Sequence, residues 1–244
     1  MPSIKKKQMH QFAVFIPDYD AILKTYSRYV VEAQQRHKKL DLKQRIDTNY
    51  LPCELYHAYD RWQPPDGIDI LFLAESPPWS GEGNYFYNED FEAPGDRMNL
   101  STILLKKLHI ELGTKEDKLM EFRRRSCFLS DSVKCVFKKR LPTDPPGARR
   151  KKIPRDLIRL SVGLTLKEEI ASMNPRIIFL LGKTALRAMR YIEGFSPDLQ
   201  NVTVGDHKKV GDTHIIVCAF LSERNLKRFD KGIDRAFKEL ELLH

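Results

Sequence analysis

The hydrophobic pattern along the chain changes period near residue 64. Before that point, "YDAILKTYSRYVVEAQQRHKKL" places Ile22, Leu23, Tyr26, Tyr29, Val30 and Ala33 on one face at helical spacing. "CELYHAYDRW" continues the helical tone, and the turn residues of "QPPDG" end it, so residues 11–63 predict helices. Beyond it come four apolar runs of strand composition: "IDILFLAE" (68–75), "CFLSDSVKC" (127–135), "RIIFLLG" (176–182) and "HIIVCAFLS" (214–222). Helical patterns separate the first three. "DRMNLSTILLKKLHIELG" has Met98, Leu100, Ile103, Leu104 and Leu108 in register, and "IRLSVGLTLKEEIASMNP" carries an apolar stripe that stops at Asn174-Pro175. "KTALRAMRYIEG" follows the third run and ends at a glycine, and "LKRFDKGIDRAFKELELLH" predicts a last helix.

Strands that are apolar almost throughout are buried on both faces, which is the mark of a parallel sheet covered by helices. The expected fold is therefore a three-layer α/β/α arrangement with a four-stranded, mainly parallel sheet, plus N-terminal helices. Residues 1–64 are expected to form a helical extension packed on the core, and residues 65–244 the α/β domain. In open sheets of this kind, ligands bind beyond the carboxyl ends of the strands. Here those ends read Glu75-Ser76-Pro77, Asp131, Gly182 and Ser222-Glu223-Arg224-Asn225.

Composition narrows the function classes. No apolar run approaches the roughly 18 residues of a spanning helix, and "MPSIKKKQMHQF" has no apolar stretch of the signal-peptide kind. A membrane is not an expected partner. Cys53, Cys127, Cys135 and Cys218 lack C-x-x-C spacing, which makes a reduced, cytoplasmic protein the simplest inference. The net charge of +9 is local: from Phe122 to Arg155 there are twelve Lys/Arg against two acids, Asp131 and Asp144, a net +10. The other 210 residues are close to neutral. A field so concentrated points to a polyanion such as nucleic acid, with a solvated basic loop as the bland alternative.

Several motifs fail on inspection. "LLGKTA" resembles the end of a phosphate-binding loop, but the required earlier glycine position is Ile177, inside a strand. "SGEGNY" lacks the third glycine of a dinucleotide fingerprint, no G-x-S-x-G elbow exists, and the seven histidines show no metal spacing. Neither a metal nor an organic cofactor is expected.

Taken in order, the strand ends resemble the uracil-DNA glycosylase superfamily. The resemblance covers about residues 68 to 228. Ala74-Glu75-Ser76-Pro77-Pro78 stands where the family has motifs such as G-E-x-P-G or G-M-N-P-G, and "NYFYN" follows with the aromatic that stacks on an extracted base. "GDRMNLSTILLKKL" matches an R-x-x-x-L helix, and Ser130-Asp131-Ser132-Val133-Lys134-Cys135 resembles T-N-V-V-K-C of one iron–sulfur branch. Pro175 through Leu181-Gly182 to Ala185 matches P-x-x-x-x-x-L-G-x-x-A, and Phe220 to Asn225 stands at a loop of H-P-S-P-R-N type. The departures are specific. Ala74 replaces glycine, Ser76 stands at the catalytic Asp or Asn position, Asp131 at the base-reading asparagine, and Phe220 at the histidine. Only Cys135 matches the iron–sulfur branch, so a cluster is not implied.

The resemblance implies a DNA glycosylase that hydrolyses the N-glycosidic bond of a damaged or deaminated base in base excision repair. Such chemistry develops positive charge on the sugar and negative charge on the leaving base. Glu75 is the expected water-positioning or charge-stabilising group, with Ser76 as a helper; the structural alternative is a carboxylate and hydroxyl bonding a Pro-rich turn. Phe86, with Tyr85 as alternate, is the expected stacking face, unless these rings pin the loop to the core. Asp131 is the expected base reader. An ionised carboxylate only accepts hydrogen bonds, so it favours an amine-bearing base or needs protonation to read uracil; alternatively it pairs with Lys134 or the nearby arginines. Lys138, Lys139, Arg140, Arg149 and Arg150 are expected to track phosphates, and Ser222, Arg224 and Asn225 to contact the backbone or enter the base stack. The expected partner is DNA, with single-stranded DNA or RNA as variants, and a monomer is the working expectation. Two rival readings stand: a catalytically silent nucleic-acid-binding relative, and an unrelated α/β enzyme acting on a nucleoside or nucleotide.

Overall fold

The apolar runs become the strands of a central sheet in the computed structural model, which describes residues 15–38, 40–47, 58–78, 86–89, 100–219 and 233–234. In chain order the first elements are α1 (Tyr19–Ala33), a short α2 (Leu42–Arg45) and β1 (Ile46–Asp47). A π-helical turn at Ala58–Trp62 leads to β2 (Ile70–Ala74), α3 (Leu100–Lys107), α4 (Lys115–Arg124), β3 (Cys127–Asp131) and β4 (Val136–Phe137). Next, α5 (Arg155–Ser161) runs through a π-helical turn at Val162–Leu166 into α6 (Lys167–Met173). The described core closes with β5 (Ile177–Leu181), α7 (Lys183–Met189), α8 (Ser196–Leu199), β6 (His207–Val210) and β7 (Thr213–Cys218).

The main sheet has the order β3-β2-β5-β7-β6, and the first four strands are parallel. Every residue of β2, β3 and β5 is buried, as strands covered on both faces must be. Helices cover this sheet in a three-layer α/β/α arrangement. One expectation needs correction: the sheet has five strands, not four. The added strand, β6, is antiparallel to β7 and ends in a tight turn through Gly211, whose φ of 57° suits glycine. Its sequence, His-Lys-Lys-Val, is mostly exposed at the sheet edge, so no apolar run announces it.

The run at 127–135 is likewise not one strand. It leaves the main sheet after Asp131, bends, and resumes as β4, which pairs antiparallel with β1 from the N-terminal segment. The turn is fixed by the Ala74 carbonyl, which accepts both the Ser132 amide (2.9 Å) and the Ser132 hydroxyl (2.6 Å). The Glu75 carbonyl accepts the Val133 amide at 3.1 Å. These bonds join the carboxyl ends of β2 and β3.

The long helix 155–173 stops where the sequence indicates: Asn174 takes the left-handed conformation, with φ of 41°, before Pro175. Among the described residues, no helix is long and apolar enough to cross a membrane. The last predicted helix falls outside the described residues except at positions 233 and 234.

Candidate nucleic-acid site

Asp131 is the final residue of β3 and pairs in register with Ala74, so Glu75 is its immediate neighbour across the strand ends. The two carboxyl groups thus share the sheet edge at which parallel α/β folds bind ligands. Their environments differ. The Glu75 side chain is 14% exposed, and its Oε1 lies 2.8 Å from Lys139 Nζ. Asp131 is 4% exposed and makes no hydrogen bond or ion pair with its side chain among the described residues. Burial pushes its carboxyl up to about 7; the neighbouring Lys134 opposes the rise, while Glu169 and Glu75 add to it.

The alternative Asp131–Lys134 pair does not form, because Lys134 is committed elsewhere. Its Nζ lies 2.5 Å from Glu169 Oε2 and donates to Ser130 Oγ (2.5 Å) and Tyr59 OH (2.9 Å). Tyr59 OH in turn donates to Glu169 Oε1 at 2.6 Å. Glu169 Oε2 has no partner of hydrogen-bond geometry, so the Lys134 contact there is ionic rather than directional. The network is sealed, with Lys134 and Glu169 side chains 4% and 0% exposed. Sequence reasoning misses it. The available signal was Glu169 itself, an acid in the same helical register as the buried Thr165, Leu166, Ile170 and Met173.

Phe86, the expected stacking face, is buried in the core. It is 3% exposed, its ring packs 5.1 Å from Phe122 and 4.9 Å from Tyr87, and Lys115 Nζ sits 5.2 Å from its centroid. A ring held this way anchors residues 86–89 to the core. Tyr87 does the same: its hydroxyl donates to the Leu129 carbonyl (3.2 Å) and accepts the Leu129 amide (2.7 Å). Tyr85 lies outside the described residues, as do Ser222, Arg224 and Asn225. Ser76 follows Glu75 and is half-buried.

The basic segment has a defined shape. Arg45, with its side chain 3% exposed, donates to the Lys138 carbonyl (3.0 Å) and the Leu40 carbonyl, and pairs with Asp144 at 2.5 Å. That ion pair first, then the Leu141 amide, holds the Asp144 carboxyl below its usual range. The Lys139 carbonyl accepts the Lys151 amide at 2.8 Å, and Arg140 donates to the Ala148 carbonyl at 3.0 Å. Lys138 faces Asp47 at 3.5 Å and Lys139 faces Glu75, whereas Arg149 and Arg150 are exposed. The loop therefore touches the strand-end site through Lys139. No sequence signal marks Arg45 as its anchor, since the partners are about a hundred residues away.

A cavity of about 520 Å³ lined by Pro64, Asp66, Met120 and Arg124 lies beside Ser126, at the amino end of β3. It is at the opposite end of that strand from Asp131, so it is not the site of the paired carboxyl groups. Cys135 is fully buried, and burial raises its thiol above the ordinary range. The family model described as "Uracil DNA glycosylase superfamily" matches residues 63–241. No curated protein matches the sequence.

Proposed function

The chain belongs to the uracil DNA glycosylase superfamily, and from that premise we propose that it is a DNA glycosylase acting on a damaged or deaminated base in excision repair. The observation that carries this reading is the juxtaposition of Glu75 and Asp131 at the joined ends of β2 and β3, with Lys139 of the basic loop on Glu75. One carboxyl then faces the sugar and the other the base. In hydrolysis the C1′–N bond breaks, the base leaves with the bonding pair and takes up a proton, and water adds its oxygen to C1′ and loses a proton. Glu75 holds that water and balances the positive charge on the sugar. Ser76 shapes the turn that presents Glu75. Phosphate contacts fall to Lys138, Lys139, Arg140, Arg149 and Arg150, and Ser222, Arg224 and Asn225 are proposed to engage the backbone from the last loop.

A second reading has a specific observation in its favour. Ser76 replaces the catalytic Asp or Asn of the family pattern, and Lys139 already occupies Glu75. A silent nucleic-acid-binding relative would tolerate both. Oligonucleotides carrying uracil, hypoxanthine, xanthine or alkylated bases separate the two readings. The glycosylase reading expects abasic product from at least one of them, and a fall of about 10²–10⁴-fold in Glu75→Gln with binding retained. Tight, salt-sensitive binding with no abasic product from any of them would establish the silent relative instead.

A further inference from the structure

Asp131 combines three properties that a structural carboxylate does not. It is buried, it stands at the ligand-binding edge of the sheet, and its side chain is without a hydrogen-bond or ion-pair partner among the described residues. A carboxylate so largely withdrawn from water and left without a partner is disfavoured in its charged form, which is why such groups pair, coordinate or become neutral. Pairing is closed to Asp131. The nearest ammonium, Lys134, donates to Ser130 and Tyr59, and its charge is paired with Glu169 at 2.5 Å.

The groups facing Asp131 reinforce the point from every side. Glu75 comes from the end of β2, Glu169 from α6, the Tyr87 hydroxyl from the loop before α3, and Lys134 from the following turn. Lys134 is matched by Glu169, and Glu75 by Lys139 of the basic loop, so neither cation is left over to balance a further negative charge. The bonds from the Ser132 amide and hydroxyl to Ala74 and from the Val133 amide to Glu75 hold the main chain at Asp131 beside Glu75.

A neutral carboxyl presents one O–H donor and one carbonyl acceptor side by side, the same hydrogen-bonding face as a primary amide. A lactam edge, with a ring carbonyl next to a ring N–H, offers the complement. An ionised carboxylate has only acceptors and is repelled by that carbonyl. We propose that Asp131 reads the extruded base as a neutral acid, donating its O–H to a ring carbonyl and accepting the adjacent ring N–H. The site thereby selects deaminated bases with a lactam edge. This deepens the glycosylase reading and rests on its base pocket, but it concerns recognition rather than cleavage.

Only the protonated form makes both bonds, so base recognition is complete below the Asp131 pKa of about 7 and is lost as pH rises through it. The test compares binding of an oligonucleotide containing uracil with one containing a tetrahydrofuran abasic analogue, which keeps the backbone and lacks the base. For the wild type, the ratio of the two affinities is expected to be flat well below that pKa. Above it, the ratio should fall about tenfold per pH unit. Asp131→Asn is expected to hold a high ratio at all pH values, and Asp131→Leu a ratio near one. A carboxyl NMR signal absent from Asp131→Asn should titrate near 7 rather than near 3.8 without any DNA present. A wild-type ratio that is flat with pH, equal binding of the two oligonucleotides, or a titration near the ordinary value would each overturn the proposal. Abasic product with a flat ratio would sink this inference alone. A pH-dependent ratio without product would sink only the glycosylase reading.

Discussion

Lys134 and Glu169 show what individual residues contribute beneath the site. Each charge, taken out of water alone, costs several kcal/mol, and the contact at 2.5 Å with Tyr59 and Ser130 around it offsets that cost only while both members remain. Lys134→Met is therefore expected to destabilise the protein by about 3–5 kcal/mol, since it strands a fully buried carboxylate. Adding Glu169→Leu to it should recover most of the loss, because an apolar pair of similar volume suffers no desolvation. Urea titrations of the two single variants and the double variant measure the coupling. Additive losses would mean that the pair does not act as a unit. Phe86 teaches the complementary lesson. An aromatic ring in a loop reads the same in sequence whether it faces a ligand or the core, and only its packing on Phe122 and Tyr87 decides the matter.

At the level of elements, α4 is held by its amino end. Thr114 accepts the Asp117 amide (3.2 Å) while Asp117 accepts the Thr114 amide (2.8 Å), a reciprocal capping box. Thr114→Ala removes half of it and should cost about 1 kcal/mol, which for a chain of this size lowers Tm by about 2–4 °C. Calorimetry would show this, and an unchanged Tm would mean that packing of Leu119 and Phe122 alone fixes the helix. This helix also marks the limit of what the hydrophobic pattern reveals. Its sequence, "KEDKLMEFRR", buries only two apolar side chains, so no stripe stands out, although T-x-x-D ahead of it is a readable start signal. The four apolar strands were legible because burial on both faces makes their sequences apolar almost throughout. β6 was not, because an exposed edge demands the opposite composition. The strand-end carboxyls, Glu75 and Asp131, were legible by position. That Asp131 lacks a partner was not, because it depends on Lys134 meeting Glu169, 35 residues further on.

Over the whole molecule, the decisive feature is how one charged segment is held against a near-neutral body. The loop after β4 is fastened from beneath by Arg45, while Arg149 and Arg150 stay exposed and Lys139 reaches Glu75. The cation that fastens the loop is thus distinct from those proposed to bind phosphate, and the two roles can be told apart by salt. Each phosphate contact on duplex DNA contributes about −0.9 to the slope of log affinity against log salt. Replacing both exposed arginines, Arg149→Ala with Arg150→Ala, should flatten that slope by about 2 with no change in Tm. Arg45→Met removes a charge that is too buried to meet a phosphate, so a purely local effect would leave the slope alone. If Arg45 instead sets the course of the loop, its loss should lower both Tm and the slope, the latter because Lys138, Lys139 and Arg140 no longer share one alignment. Binding isotherms at several salt concentrations, read beside thermal melts, distinguish these outcomes. A wild-type slope near zero would remove the basic loop from nucleic-acid binding altogether.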